Sequence, residues 1–532
     1  EALCRAVVSA DPDSAAARHL LGAVLHDRGS AFVDEAEACY RRAAELDETA
    51  SEALADLGAL MQGQARLLAA EDVLREALAR RPSAGAWNNL GCALRDQGRI
   101  VHALDAFREA LAVKPDFAEA HSNLLFCMQY QSEVTPEALL DAHRDFDRRH
   151  CAALAPRQPP PIRPLAGRKL RLGLVSADFG AHPIGWFTSS VLEAIDPDAV
   201  ELYAYSDRER IDDLTRRMQR AVPRWRDVRG LDDETLAGVV RADGIDALID
   251  LAGHTARNRL LVFARKPAPV QASWAGYVGT TGLSAMDLVV GDRFHTPQAE
   301  DHLHVERVLR MPHDYICYAP PPNAPPVGPP PALGRGGRVT FGCFNAFAKI
   351  GPETVTVWAQ ILHRIPESRL MLKCRPLADA QMRGVIAREF AIHNIGPERL
   401  DLRGPSAHGD LLAQYGEIDV ALDTYPYSGG LTTLEALWMG VPVVTRPGRT
   451  FAGRHSFSHL SNVGLGDLIA GDFLDYIGRA RALAADLDQL AALRLALRPW
   501  LAASPVCDAA SFARALVDGL IGCHQRRTDT KV

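Results

Sequence analysis

A period of about 34 residues runs through residues 1–130, and a repeat of that length constrains the fold more tightly than any other feature of the chain. Trp87, Leu90, Gly91, Leu94, Ala103, Phe107, Ala110 and Pro115 follow the spacing W-x2-L-G-x2-L, then A-x3-F-x2-A, then P. Leu57, Gly58, Ala70, Leu74, Ala77 and Pro82 repeat it one period earlier. Leu21, Gly22, Leu25, Ala36, Tyr40 and Ala43 do so once more, with a short insertion near Phe32 and with Asp47 where proline is expected. Pro12 reads as the close of a preceding unit, and His121 to Leu125 as the opening helix of a further one. The reason for the pattern is packing: small residues let two helices approach, and Leu, Tyr or Phe fill the groove between neighbours. One such unit cannot bury its apolar face, so the units must stack.

The spacing is that of the tetratricopeptide repeat, so residues 1–130 are expected to form an all-α solenoid arm. Its curved surface suits an extended peptide or partner protein. Asn88, Asn89 and Asn123 are candidates to hydrogen-bond an acceptor backbone, the alternative being that they are solvated or cap local turns. Residues 131–167 are expected to hold a helical cap on the solenoid and a stiff proline-rich linker. Pro136 stands at a helix start, with Leu139, Leu140, His143 and Phe146 at helical spacing.

Composition narrows the class of partner. The 59 basic and 66 acidic residues leave a net charge of -7 with no block of like charge, which speaks against nucleic acid and against an anionic membrane. Ten cysteines lie scattered in apolar stretches without C-x-x-C or metal-ligand spacing and read as reduced thiols. No leader and no long apolar run is evident, and the expected location is the cytoplasm.

From Lys169 short apolar strands alternate with amphipathic helices, the signature of doubly wound parallel sheets. KLRLGLVS, VELYAYS, DALIDLAG, PVQASWAGY and MDLVVGD mark a first Rossmann-like lobe, 168–318. After a Pro/Gly-rich linker, 319–337, the strands RVTFGCFN, SRLMLKC, LDLRG, DVALDTY and VPVVTRP mark a second, 338–505, followed by a C-terminal helix and tail, 506–532. Ligands of such sheets sit beyond the carboxyl ends of the strands, so chemistry is expected in those loops and in the cleft between lobes.

One loop there has the make-up of a diphosphate site. In DTYPYSGGLTTLEALWMG, 423–440, Gly429 and Gly430 permit close backbone approach, and Thr432 and Thr433 open a helix whose N–H groups favour an anion. Glu435 stands one turn in, placed to accept ribose hydroxyls; the alternative is a T-x-x-E capping box. His182 and His254, in loops after the strands RLGLVS and ALIDLAG, are candidate proton acceptors, with Asp250 at the end of the second strand. Gly276 to Gly282, with Gly279, Thr280 and Thr281, offers glycines and hydroxyls suited to a sugar. D-x-D triplets such as Asp11-Pro12-Asp13 and Asp196-Pro197-Asp198 fall at turns, where a metal–diphosphate bridge is not expected.

Together DTYPYSGGLTTLEALWMGVPVVT, SADFGAHPIG at 176–185, LIDLAGHT at 248–255, PAPVQASWAGYVGTTG at 267–282 and FGCFNAFAKI at 341–350 resemble the bacterial protein O-linked N-acetylglucosamine transferases of glycosyltransferase family 41. The resemblance implies a GT-B fold, in which a tetratricopeptide solenoid precedes two Rossmann-like lobes. It also implies inverting transfer of N-acetylglucosamine from UDP-GlcNAc to Ser or Thr of a protein acceptor, with no metal or other cofactor. In that family Lys349, within F-N-x-x-x-K with Asn345, meets the charge of the leaving diphosphate, while His182 and His254 line the cleft near sugar and acceptor. Animal relatives have tyrosine where His254 stands. Two positions depart from the pattern: Leu411 stands where a histidine stacks near uracil elsewhere, with His408 close by, and Gly430-Leu431-Thr432-Thr433 replaces Gly-Thr-Thr-Thr. These departures keep two other readings open: the same fold with another donor or acceptor (GDP-fucose to Ser/Thr, UDP-hexose to Asn), and a non-catalytic tetratricopeptide scaffold.

Overall fold

The computed structural model describes residues 1–156, 158 and 160–529. Arg157 and Pro159 of the proline-rich linker and the last three residues of the tail lie outside the described residues. The chain forms two compact units, one of residues 1–130 with 346–355 and 372–405, the other of residues 131–345, 356–371 and 406–532.

In the first unit the repeat folds into antiparallel helix pairs: Ala15–Asp27 with Val33–Leu46, Ser51–Gly63 with Leu67–Arg80, and Ala84–Asp96 with Ile100–Val113. Helix Ala2–Ala10 precedes them and Ala118–Met128 follows. Ser14 and Ser83 each accept a backbone N–H at a helix start, which ends the preceding turn cleanly. The glycine of each pair explains the period. A Cβ on Gly22 would lie 2.8 Å from the Tyr40 ring, on Gly58 2.4 Å from Leu74, and on Gly91 2.5 Å from Phe107. Three large side chains thus occupy the space that a missing Cβ leaves, and the helix pairs close at the distance this sets.

The second unit holds a seven-stranded parallel sheet. Its strands are β1 (Leu170–Ser176), β2 (Val200–Ser206), β3 (Arg224–Asp227), β4 (Ala247–Asp250), β5 (Val270–Ser273), β6 (Leu288–Gly291) and β7 (Arg307–Arg310), in the order β3-β2-β1-β4-β5-β6-β7. The five inner strands are those the apolar runs mark. The two edges, RWRD and RVLR, carry no apolar run, because an edge strand faces solvent and is filled with charge that discourages pairing with another chain. A second sheet has the strands β8 (Thr340–Cys343), β9 (Arg369–Lys373), β10 (Leu400–Arg403), β11 (Val420–Leu422) and β12 (Val443–Val444), in the order β10-β9-β8-β11-β12.

The helical stretch at the end of the chain resolves into Phe473–Ala485, Leu487–Ala503 and Ala509–Asp529. The last returns to the core of the seven-stranded sheet, where Phe512, Leu516 and Leu520 are buried and Phe512 stacks on Trp274 at 5.4 Å between ring centres. Helix Pro136–Phe146 belongs to the same unit and packs on the loops after β4 and β5, where the sequence suggests a cap on the solenoid.

Also within this unit, the stretch after β6 meets helix His455–Val463 through buried polar groups. His295 Nδ1 lies 2.9 Å from Asp292 Oδ2, and His295 Nε2 lies 3.1 Å from His455 Nδ1. Ser458 Oγ donates to Asp292 Oδ2 at 2.8 Å, and His459 Nδ1 donates to Asp314 Oδ2 at 2.7 Å. Burial opposes the charge on Asp292, but His295, its backbone N–H and the Ser458 hydroxyl outweigh it and hold the carboxyl well below the usual range.

Gly91→Val should destabilise the arm by about 1–3 kcal/mol, because its branched side chain has no room against Phe107; an unchanged urea midpoint contradicts this packing. Asp292→Ala should cost about 3–5 kcal/mol at neutral pH. The folded pKa of Asp292 is depressed, so its contribution is present above its unfolded pKa of about 4 and is lost as pH falls below that. The melting-temperature gap between wild type and variant should therefore narrow toward acid, and a constant gap would show that the charge is not what matters.

Candidate functional site

In the seven-stranded sheet β1, β4 and β5 are neighbours, so the loops after them gather at one edge. The first ends at His182, the N-cap of helix Pro183–Ala194. Its Nδ1 accepts the Ile184 N–H at 3.4 Å and lies 3.7 Å from Asp178 Oδ2. The surrounding chain, joined by the Arg208 guanidinium, lowers the imidazole below its ordinary pKa against the pull of Asp178. Even so, 43 % of the side chain stays open to solvent. A neutral, reachable imidazole results.

His254 is its opposite, 0 % exposed. Its Nε2 lies 2.8 Å from the Thr281 carbonyl, and since a carbonyl only accepts, Nε2 carries the hydrogen. Asp250 shapes this loop by accepting from the N–H of Ala252 at 3.1 Å, the N–H of Gly253 at 2.8 Å and the Ser273 hydroxyl at 3.1 Å. Burial outweighs those bonds and pushes its carboxyl up to about 6. Asp250 is thus a loop anchor at the strand end. Gly279 has φ 159, close to extended backbone. Thr280 and Thr281 are buried and give their hydroxyls to Glu306, Thr280 at 2.5 Å, with the Thr281 N–H adding a bond at 2.7 Å. The hydrogens of both hydroxyls are thus engaged by a carboxylate further along the chain.

In the second sheet β8, β11 and β12 are neighbours. Asn345, just past β8, accepts the Thr432 hydroxyl at 2.5 Å and donates to Asp423 and Thr424 at 3.3 Å. Asp423, at the end of β11, sets the glycine turn: its Oδ1 accepts the Gly429 N–H at 2.6 Å and its Oδ2 the Thr445 hydroxyl at 2.7 Å. From the other side Ser456 donates to the Gly429 carbonyl at 3.0 Å and bonds Thr433 at 2.7 Å. The turn is held from both flanks. Helix Leu431–Trp438 then begins with Gly430 as N-cap and no side chain capping its first turn, so the capping-box alternative for Thr432 and Glu435 is not what forms. The helix mouth opens beside Asn345, Asp423 and Thr432, above the buried Tyr415, whose hydroxyl donates to the Thr432 carbonyl at 3.1 Å.

Glu435 is buried, and its Oε1 lies 2.7 Å from His408 Nε2. His408, at the start of helix His408–Gln414, lies 5.0 Å from the Trp186 ring at a shallow tilt, while Leu411 follows one turn later as a half-buried side chain. Lys349 ends the turn Phe347–Lys349, half-buried, just before helix Pro352–Arg364. In the arm, Asn123 donates to Asn88 at 2.9 Å, Asn88 reaches Glu119 at 3.5 Å, and Asn89 donates to the Ala55 carbonyl at 3.2 Å. The expected acceptor-recruiting asparagines thus bind one another and the arm itself.

Residues 143–318 and 336–516 match the description Glycosyl transferase family 41. The chain belongs to that family. Residues 84–117 match the Tetratricopeptide repeat. The chain is 38% identical over 421 residues to the rice (Oryza sativa subsp. japonica) protein called probable UDP-N-acetylglucosamine--peptide N-acetylglucosaminyltransferase SPINDLY, covering 78% of this chain and 45% of that one. It is 30% identical over 403 residues to the Arabidopsis thaliana protein called SEC under the same activity, covering 72% and 41%. It therefore spans less than half the length of these curated relatives. A solved structure of a lysine-to-methionine mutant of Thermobaculum terrenum O-GlcNAc transferase superposes with a TM-score of 0.91 at 39% identity, covering 97% of this chain and 99% of that one. The family 41 architecture, repeats followed by two parallel α/β lobes in the GT-B manner, is thus the one the sequence led us to expect.

Sequence reasoning missed Asp423 and Glu306 as organisers of these loops, and with them His143, whose Nε2 accepts the Tyr277 hydroxyl at 2.7 Å and whose ring lies 5.1 Å from that of His254. Asp423 had a signal, an acid at a strand end ahead of a glycine pair; Glu306 and His143 had none, since their partners lie far along the chain. Asp423→Ala should free the Gly429 N–H and Thr445, destabilise the fold by about 1–3 kcal/mol and raise the protease sensitivity of residues 424–430. Wild-type resistance in limited proteolysis would contradict the role of this carboxylate.

Proposed function

We propose that this family 41 protein is an inverting glycosyltransferase that moves N-acetylglucosamine from UDP-GlcNAc to Ser or Thr hydroxyls of a protein acceptor, with the repeat arm recruiting that acceptor. The uncapped helix mouth at Gly430, next to Asn345 and held by Asp423, is the observation that carries this reading. A helix start with no side-chain cap behind a pair of glycines is the arrangement that receives a diphosphate through backbone N–H groups. The names of the rice and Arabidopsis relatives and of the Thermobaculum terrenum enzyme support the choice of donor and acceptor.

In the proposed step the acceptor hydroxyl oxygen bonds to the anomeric carbon as the bond from that carbon to the diphosphate oxygen breaks on the opposite face. The electron pair leaves with UDP. Its charge is met by the helix mouth and by the ammonium of Lys349, so the reading calls for no metal. Among the described residues no group of three or more His, Cys, Asp or Glu is arranged to hold one. The proton of the hydroxyl goes to an imidazole, and we assign it to His182, which is open to a macromolecular acceptor and kept neutral, over the fully buried His254. The His408–Glu435 pair is assigned to the nucleoside end. The cytoplasm is the proposed compartment, supported by ten cysteines that are all free; none of the described helices is long and apolar enough to cross a membrane.

UDP at a hundredfold its Kd should stabilise the chain by about 2.7 kcal/mol, read as a rise in melting temperature, and no shift with any nucleoside diphosphate would overturn the reading. With UDP-GlcNAc, UDP-glucose and GDP-fucose offered to Ser/Thr peptides, transfer is expected from UDP-GlcNAc alone; transfer only from GDP-fucose would change the donor. Lys349→Ala should lower kcat at least about 100-fold with the fold intact. The acid limb of the rate profile should fall below the ordinary imidazole range and vanish in His182→Ala, since protonation removes the acceptor; a retained limb would move that role elsewhere.

A further inference from the structure

Helix Pro136–Phe146 precedes both α/β lobes in the chain, yet two of its side chains, His143 and Phe146, are built against the loops after β4 and β5. His143 is buried, and its Nδ1 lies 2.6 Å from the Leu139 carbonyl one turn back. A carbonyl only accepts, so Nδ1 carries the hydrogen. Burial lowers the imidazole pKa to about 4, which keeps the ring neutral and leaves Nε2 as an acceptor. Tyr277 O–H fills it at 2.7 Å, which aims the tyrosine hydroxyl at the imidazole.

The backbone of both loops is cut to fit this pair. A Cβ on Gly253, where φ is 54, would fall 2.1 Å from the Cβ of Tyr277; one on Gly282, where φ is 76, would fall 2.4 Å from the His143 carbonyl oxygen. Gly253 adjoins His254, and Gly282 closes the Gly276–Gly282 segment. The His254 ring is then boxed in. His143 meets it at 5.1 Å, Phe146 at 4.6 Å and Tyr277 at 5.2 Å, all near edge-to-face, while its Nε2 donates to Thr281. No rotation of that ring leaves these contacts whole.

We infer that His143 is a positioning residue for the transfer step: through Tyr277 and the ring of His254 it fixes the loops that line the acceptor side, without touching substrate itself. This rests on the proposed transferase activity. A group that only orients its neighbours costs rate when removed and leaves donor affinity alone. The arrangement also gives the segment between the repeat arm and the lobes a chemical duty.

The test uses the full chain and three variants. His143→Phe keeps an aromatic ring, though a larger one, and removes both hydrogen bonds, Tyr277→Phe removes the donor to Nε2, and His143→Gln restores an acceptor for Tyr277. Calorimetry with UDP and steady-state transfer to a Ser/Thr peptide are measured on each. The expected result is UDP affinity and donor KM within twofold of wild type throughout, kcat reduced tenfold or more in His143→Phe and Tyr277→Phe, and at least a third of the rate recovered in His143→Gln. Wild-type kcat in His143→Phe overturns the inference. So does a parallel loss of UDP affinity, melting temperature and kcat that glutamine does not repair, since that is the mark of structural support alone. A wild-type chain that transfers from no nucleotide sugar sinks the parent reading and this inference with it, whereas normal wild-type turnover beside an unimpaired His143→Phe sinks only this one.

Discussion

Asp292 holds together what the rest of the second unit relies on. A charged carboxylate taken out of water is costly unless every lone pair finds a donor, and here His295, Ser458 and backbone N–H groups supply them. Because Ser458 comes from helix His455–Val463 and the others from the stretch after β6 or β7, the carboxylate is satisfied only when those elements are together. The pair of Asp314 and His459 repeats the device. Apolar packing alone would let such layers slide, whereas buried hydrogen bonds with fixed directions permit one register. The return of helix Ala509–Asp529 to the seven-stranded sheet adds an apolar lock to the polar one.

The glycine turn uses the same logic at smaller scale. Gly429 and Gly430 make a tight approach possible, but glycine by itself is permissive and chooses no conformation. Asp423 chooses it, by taking the Gly429 N–H and the Thr445 hydroxyl at once, and Ser456 secures the opposite face. The cost of burying these groups is offset within the turn, and the helix that follows is left with an open mouth. A site for an anion is thus made from backbone, with side chains serving to hold that backbone still.

Much of this was readable from local pattern. The helix pairs follow from glycines that recur opposite Tyr40, Leu74 and Phe107, and ten of the twelve strands follow from apolar runs. The two that escaped, Arg224–Asp227 and Arg307–Arg310, are edges, where the apolar signal is absent by necessity. Among site residues, Asn345 and the 429–433 turn stand together at neighbouring strand ends, as spacing after strands suggests. Thr280, Thr281, Glu435 and the three asparagines of the arm stand where the sequence puts them but are already bonded to other protein groups. A polar side chain in a motif looks available until the fold supplies its partner.

The sequence by itself determined the repeat arm, the alternation of strands and helices and the positions of the loops that carry chemistry, because each of these is written in residues a few places apart. Only the tertiary structure decided that Glu306 takes the threonine hydroxyls, that Glu435 faces His408, and that His143 braces His254 and Tyr277. Periodicity specifies which face of an element is buried, and hydrogen-bond chemistry specifies that a buried polar group must be satisfied. Neither names the partner, which is settled by where distant segments of the chain come to rest.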